Sequence, residues 1–235
     1  MSNAPLRTGL RALTCGATIV SFVVGCGGGH HLAEYPFSSR TLAVVYIAPP
    51  APVLLTGYYD LTNSQNPVEV AVRAGADVAR EREARRAGAR LDSATARIDI
   101  PKVLAQRTLE RASRYLGTRP ITDEQQADYL MEVRIERFGI NAKADEATYL
   151  FTYAEAVLLD RRTGREIWNV NIHGRDRLTP YVQSNSPIPG SVIAAGALGS
   201  VSVSDFQGAL NELIDLSSNL ITNELRAALR DVRNK

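Results

Sequence analysis

The chain has 235 residues, of which 45% are hydrophobic and 22% charged, and its formal net charge is +2. That is enough apolar material for one domain with extensions, and it excludes a globally disordered chain. So small a charge excess gives no ground for a nucleic-acid partner.

Residues 1–25 contain Arg7 and Arg11 and no acid. Without those two arginines, 25 basic and 25 acidic side chains remain, a neutral remainder. Arg7 and Arg11 form a positive start. Ala12 to Val24 form an apolar stretch shorter than the roughly 20 residues of a membrane span, the layout of a secretory signal. The stretch ends Val23-Val24-Gly25-Cys26, with an aliphatic residue three before the cysteine and a small one just before it. This resembles the bacterial lipobox, and the resemblance implies lipid transfer to the Cys26 thiol and cleavage before it. The alternative is an ordinary signal peptide or an incidental cysteine. Cys15 lies inside the apolar stretch and leaves with the signal. With Cys26 lipidated, neither a disulfide nor a cysteine metal site is expected. Residues 26–40 read as a lipidated, flexible tether opening Gly27-Gly28-Gly29. The adjacent His30 and His31 lack further ligands nearby, so no metal site and no cofactor is expected.

The part from 41 to 235 is expected as a single α/β (α+β) domain. It should hold a small mixed or antiparallel sheet, with a central three-strand unit, against two or three helices. Thr41 to Ala48 is a continuous apolar run bounded by prolines and predicts a buried first strand. Val53 to Leu61 reads as an edge strand or an extended loop. A charged helical insertion follows at about 67–92. Its later half, Arg80 to Arg90, has no large apolar residue and is expected to stay solvated, or to touch an acidic partner or anionic headgroups. A second helix is expected from Ile100 to Leu116, capped by Asp99 and stopped by Gly117. Leu104, Thr108 and Ala112 form its buried stripe, and Glu110 is placed to pair with Arg114.

Ala127 to Arg175 is the three-strand unit. Met131, Val133 and Ile135 alternate with Glu132, Arg134 and Glu136, at the period of a half-buried strand. Tyr149 to Leu159 carries a single charge, so both of its faces are expected to be covered. Trp168, Val170 and Ile172 alternate with Asn169, Asn171 and His173. Asp160 and Gly164 mark the hairpin turn between the second and third strands, with Gly164 at positive φ. Gly190 to Val203 is uncharged and small-residue-rich. It reads as a packed loop or as an interface to membrane or another subunit, with Gly190, Ala194, Ala197 and Gly199 as candidate contact residues. A closing helix runs from Asp205 to about Val232, its stripe formed by Leu210, Leu213, Leu220, Ile221 and Leu225, with Asp205 or Ser204 as cap.

No P-loop, dinucleotide fingerprint, HExxH or GxSxG is present. His173 is the only histidine beyond the tether, at the end of the third strand and without an evident nucleophile. The reading is therefore of a non-enzyme, with a hydrolase around His173 as the remote alternative.

The element order and the run Val157-Leu158-Leu159-Asp160-Arg161-Arg162-Thr163-Gly164-Arg165-Glu166-Ile167-Trp168 resemble a broad group of bacterial envelope proteins. The group includes the curli secretion-channel lipoproteins, the lipoprotein activators of penicillin-binding proteins and the amino-terminal domain of the Tol translocation protein. The resemblance covers roughly 41–48 and 100–232 and implies fold more than function; it brings no catalytic residue. It implies a lipoprotein anchored in the outer membrane and facing the periplasm, an accessory or adaptor to an unidentified protein partner. An oligomeric subunit of an export or channel complex, hence a homo-oligomer, is the alternative. Gly27 is not the aspartate that signals inner-membrane retention in enteric bacteria.

Overall fold

The computed structural model describes residues 31–47, 49, 51–55, 78, 82–83, 85–141, 149–177 and 201–234. Six strands form one mixed sheet: β1 (Thr41–Ile47), β2 (Val53–Leu55), β3 (Arg119–Pro120), β4 (Tyr129–Asn141), β5 (Tyr149–Asp160) and β6 (Glu166–Arg177). The order is β3-β1-β4-β5-β6, with β2 paired to the far end of β4. The expected three-strand unit is the antiparallel meander β4-β5-β6. It occupies one side of the sheet, while β1, β2 and β3 add to the other side in parallel.

β1 and β2 lie end to end along β4: β1 pairs with Tyr129 to Arg134, β2 with Gly139 to Asn141. Between them the sequence carries Pro49, Pro50 and Pro52, residues without the N–H a ladder needs. The short β3 flanks only Thr41 and Leu42. The expectation of a buried first strand therefore holds at Leu42 and Ala43 and fails at the other end, where Tyr46 and Ile47 are 43% and 46% exposed.

In β4 a bulge at Glu136 keeps one face apolar. Ile135 pairs with Ala154 and Arg137 with Tyr153, so Glu136 has no partner on β5. The skipped residue shifts the alternation from odd to even, and Phe138 and Ile140 join Met131, Val133 and Ile135 in the core. A second irregularity, in β6, leaves both Ile167 and Trp168 buried. The β5–β6 turn closes as the sequence predicts. Gly164 has φ 69°, and Asp160 Oδ1 accepts from the N–H groups of Arg162 and Thr163 at 2.9 and 3.0 Å.

Among the described residues the helices lie on one side of the sheet. α1 covers 85–95, α2 is Ile100–Leu116 and α3 is Val203–Arg233. The stretch Arg80 to Arg90 was expected to stay solvated for want of a large apolar residue, yet Ala87 within it is buried in the core cluster, as are Leu91 and Ala94 just beyond it. The three fall at helical spacing, with Leu91 supplying the large side chain and the alanines letting the backbone approach, and Arg90 donates to the Val201 carbonyl at 3.0 Å. α2 is capped as predicted: Asp99 Oδ1 accepts from Lys102 N–H, and Gly117 ends the helix at φ 73°. Arg114, expected to pair with the Glu110 carboxylate, donates instead to the Glu110 carbonyl oxygen at 3.2 Å.

α3 starts two residues earlier than expected. Its cap is Ser202, whose hydroxyl accepts from Asp205 N–H while Asp205 Oδ2 accepts from Ser202 N–H, a reciprocal capping box. At 31 residues α3 is about 46 Å long and buries Phe206, Leu210, Leu213, Ile214, Ile221 and Leu225. α2 and α3 run parallel. Arg107 donates to the Asn211 carbonyl, Arg111 Nη2 sits 2.7 Å from Asp215 Oδ1, Thr108 donates to Ser218, and Arg226 lies over Tyr115. Within α3 the buried Ser217 and Thr222 hydroxyls each donate to the carbonyl four residues back, while Ser113 Oγ on α2 is buried with no hydrogen-bond partner among the described residues. Gly174 in β6 lets α3 lie close, for a Cβ there would come within 3.0 Å of Thr152 Cγ2 and 3.2 Å of Ser217 Oγ.

Candidate functional site

The two ends of the sheet differ in what their polar side chains do. At the end where β5 turns into β6, the chain leading to β1 folds back on the sheet. His31 N–H donates to the Ile167 carbonyl at 2.9 Å, and Leu32 and Phe37, within the stretch read as tether, are buried. The folded part thus reaches back to His31. Glu34 bridges His31 and Arg165 at 2.6 and 3.0 Å. Asp128 accepts from both the N–H and the hydroxyl of Thr41 at 2.8 Å, and Arg40 lies 3.3 Å away. A cleft of about 590 Å³ opens here beside Tyr35, Arg40, Asp128 and Asp160.

The carboxylates of this end are structural. Hydrogen bonds from the Thr41 backbone and side chain hold Asp128 below the usual carboxylate range. The bond from His31 does the same for Glu34, and the bond from Arg111 does it for Asp215 on α3. A general acid needs the opposite shift. Asp160 is occupied by its own turn.

At the other end of the meander, on the face turned away from the helices, alternate residues of three strands form a ladder. Arg137, Tyr153 and His173 stand in one cross-strand row. His173 stacks on Tyr153 with ring centroids 4.0 Å apart and planes 16° from parallel. The Arg137 guanidinium lies 4.7 Å from the same ring. One row on, Arg175 Nε donates to His173 Nε2 at 3.2 Å, and its guanidinium lies 5.2 Å from the Tyr149 ring. Phe151 is buried beneath, its ring 5.8 Å from both the Arg137 guanidinium and the Tyr153 ring. Nearer the turn, Arg134 pairs with Glu155 at 3.3 Å. The second strand was expected to be covered on both faces. Among the described residues only the inner face carries helices, and Tyr153, Glu155, Val157 and Leu159 are half-buried.

His173 lies inside β6, four residues before its end. Burial first, then the charges of Arg175 and Arg137, push its pKa below the ordinary 6.5. It is neutral at pH 7 and accepts from Arg175. Among the described residues its partners are Arg175 and Tyr153. The guanidinium groups of the ladder can bind negative charge.

Sequence reading reached His173 but not its companions. Arg137, Tyr153 and Arg175 come together only through strand register, although the doublet Glu136-Arg137, which breaks the alternation, was a visible sign of the bulge. Cys26, Gly190, Ala194, Ala197 and Gly199 lie outside the described residues. Among the described residues no helix is long and apolar enough to cross a membrane.

No family model matches the chain, and no curated protein matches it. Similar solved structures include a Caulobacter crescentus protein classed provisionally as a lipoprotein. It is 13% identical, with 57% of this chain and 85% of that one covered and a TM-score of 0.34. A PelC dodecamer from Paraburkholderia phytofirmans is 7% identical, with 77% and 88% covered and a TM-score of 0.30. A Neisseria meningitidis lipoprotein is 15% identical, with 78% and 99% covered and a TM-score of 0.22. At these scores no functional statement rests on them.

Proposed function

We propose that the chain is a non-enzymatic lipoprotein of the bacterial envelope. In this reading it is held in the outer membrane by lipid on Cys26, faces the periplasm, and serves as an accessory or adaptor in an envelope assembly. The observation that carries the reading is the order of Arg7 and Arg11, the apolar stretch Ala12 to Val24, and Val23-Val24-Gly25-Cys26. Residues 1–25 are then a signal and Cys26 the first residue of the mature chain. The hairpin run Val157 to Trp168 supports kinship with the envelope groups it resembles. The lowered carboxylate pKa values, and the packing of His173 between Tyr153 and Arg175 among the described residues, support a binding role over a catalytic one.

The fold gives this anchor a direction. Five residue steps separate Cys26 from His31, a reach of at most about 17 Å. His31 sits at the β5–β6 turn, so that end faces the bilayer. Eleven residue steps along β5 carry the other end about 37 Å further.

Cys26→Ser tests the anchor. The variant should lose metabolic fatty-acid label and move from the membrane to the soluble fraction. Each buried CH₂ contributes about 0.8 kcal/mol, and stable anchoring needs more than one chain. A serine variant that keeps its label and still sediments with membranes overturns the reading.

A further inference from the structure

The ladder on the outer face is not needed by the anchor, and among the described residues two of its arginines are in no ion pair. Arg134 has Glu155. Arg137 and Arg175 are exposed, and among the described residues their contacts are with rings and with neutral His173, not with a carboxylate. Among the described residues, two cations on one sheet face therefore make no ion pair.

The geometry narrows what they receive. His173 reaches Tyr153 from β6 and Arg137 reaches it from β4, the strands on either side of β5. Both faces of that ring are taken, so it is no platform for a sugar ring or a nucleobase. What remains exposed is the two arginines, each guanidinium a planar fork of N–H donors shaped for carboxylates. The described clefts, of about 590, 630 and 290 Å³, are lined by other residues. A site outside these clefts suits a macromolecular surface better than a small ligand, which favours a concavity. Stacking already holds the arginines, so little side-chain freedom is lost on binding, and Arg and Tyr are the residue types that dominate protein interfaces.

We infer that Arg137 and Arg175 dock an acidic surface of a protein partner, receiving its carboxylates on the outer face of β4-β5-β6. This rests on the adaptor reading and names the chemistry of its partner. The anchoring bilayer is a poor candidate for the patch, which lies at the end of β5 away from His31.

The test uses the mature protein purified in detergent and fluorescein-labelled poly-glutamate as probe, with binding followed by anisotropy. Binding should weaken as salt is added. Arg137→Gln and Arg175→Gln should each weaken it about tenfold, the loss of one charge-assisted contact. Arg161→Gln, at the opposite end, should leave it unchanged. Equal losses in all three variants mean attraction to net charge only, and no loss at Arg137 or Arg175 places the contact elsewhere; either result overturns the inference. Dextran sulfate or phosphatidylglycerol vesicles displacing the probe from the parent at lower carboxylate-equivalent concentration would replace the protein partner with a polysaccharide or a membrane. Melting curves accompany each variant, and Arg175→Gln, on the edge strand, carries the test if Arg137→Gln does not fold. Fatty-acid label at Cys26 is read on the same preparations. Absent label with arginine-dependent binding sinks the anchor and leaves the patch, and the converse result does the reverse.

Discussion

The same three strands present two unlike faces. Inward, Met131, Val133, Ile135, Phe138 and Ile140 of β4 meet Leu150, Ala154, Ala156 and Leu158 of β5 under the helices, all buried. Outward, the intervening positions include Arg134, Arg137, Tyr153, Glu155, His173 and Arg175, charged or aromatic and open to solvent in part or in full, around a buried Phe151. Period-two geometry makes the separation possible. One face supplies the stability and leaves the other free to carry residues the fold does not require. Substitutions should sort the same way, with large losses of stability inside and small ones outside.

Trp168→Ala is the largest expected effect. The ring is among the biggest fully buried side chains, and its loss should cost about 3–5 kcal/mol, read as a drop in melting temperature. An unchanged melt would erase the distinction between the faces. Gly174→Ala comes next. The added methyl group would meet Thr152 and Ser217 at 3.0 and 3.2 Å, so those side chains must give way, at about 1–3 kcal/mol. Stabilisation there would mean that the seam has slack.

Smallest is His173→Gln, which at neutral pH should change stability by no more than about 0.5 kcal/mol. Its signature is in the pH dependence. His173 has its folded pKa below the ordinary 6.5. The unfolded chain therefore takes up that proton first, and stability falls as pH drops below that value. Asp128 and Asp215 are depressed carboxylates, so their contribution is present above the ordinary 3.8 and is lost as pH falls through their folded values. Urea melts of the variant should be flatter between about pH 7 and 5 and keep the parent's acid limb below. A variant that keeps the upper slope would move the titration to another group.

Much of this was legible locally. Alternation marked β4 and β6, Asp160 and Gly164 marked the turn, and Asp99 and Gly117 bounded α2, because each signal sits within a few residues of what it governs. The misses were non-local or depended on small residues. Nothing near Thr41 announces that β1 will lie parallel to a strand 87 residues further on. Asp205 was read as a cap because it precedes the apolar stripe, yet it is the third residue of a box opened by Ser202. The stretch Arg80 to Arg90 was judged by its lack of large side chains, yet Ala87 packs by having none, and Leu91 just beyond it anchors the same helix in the core. The outer ladder needed register across β4, β5 and β6, which periodicity within one strand does not give.

The parallel pairing of β1 with β4 also sets an order of assembly. The meander forms from neighbours in sequence, whereas joining Thr41 to Asp128 closes a loop of 87 residues, an entropic cost met only when β4 is there to receive it. The first strand to emerge from synthesis is then among the last to be seated. Its seating draws residues 31–40 onto the sheet, and if Cys26 is already fixed in a bilayer, that final step winds the domain in toward the surface that holds it.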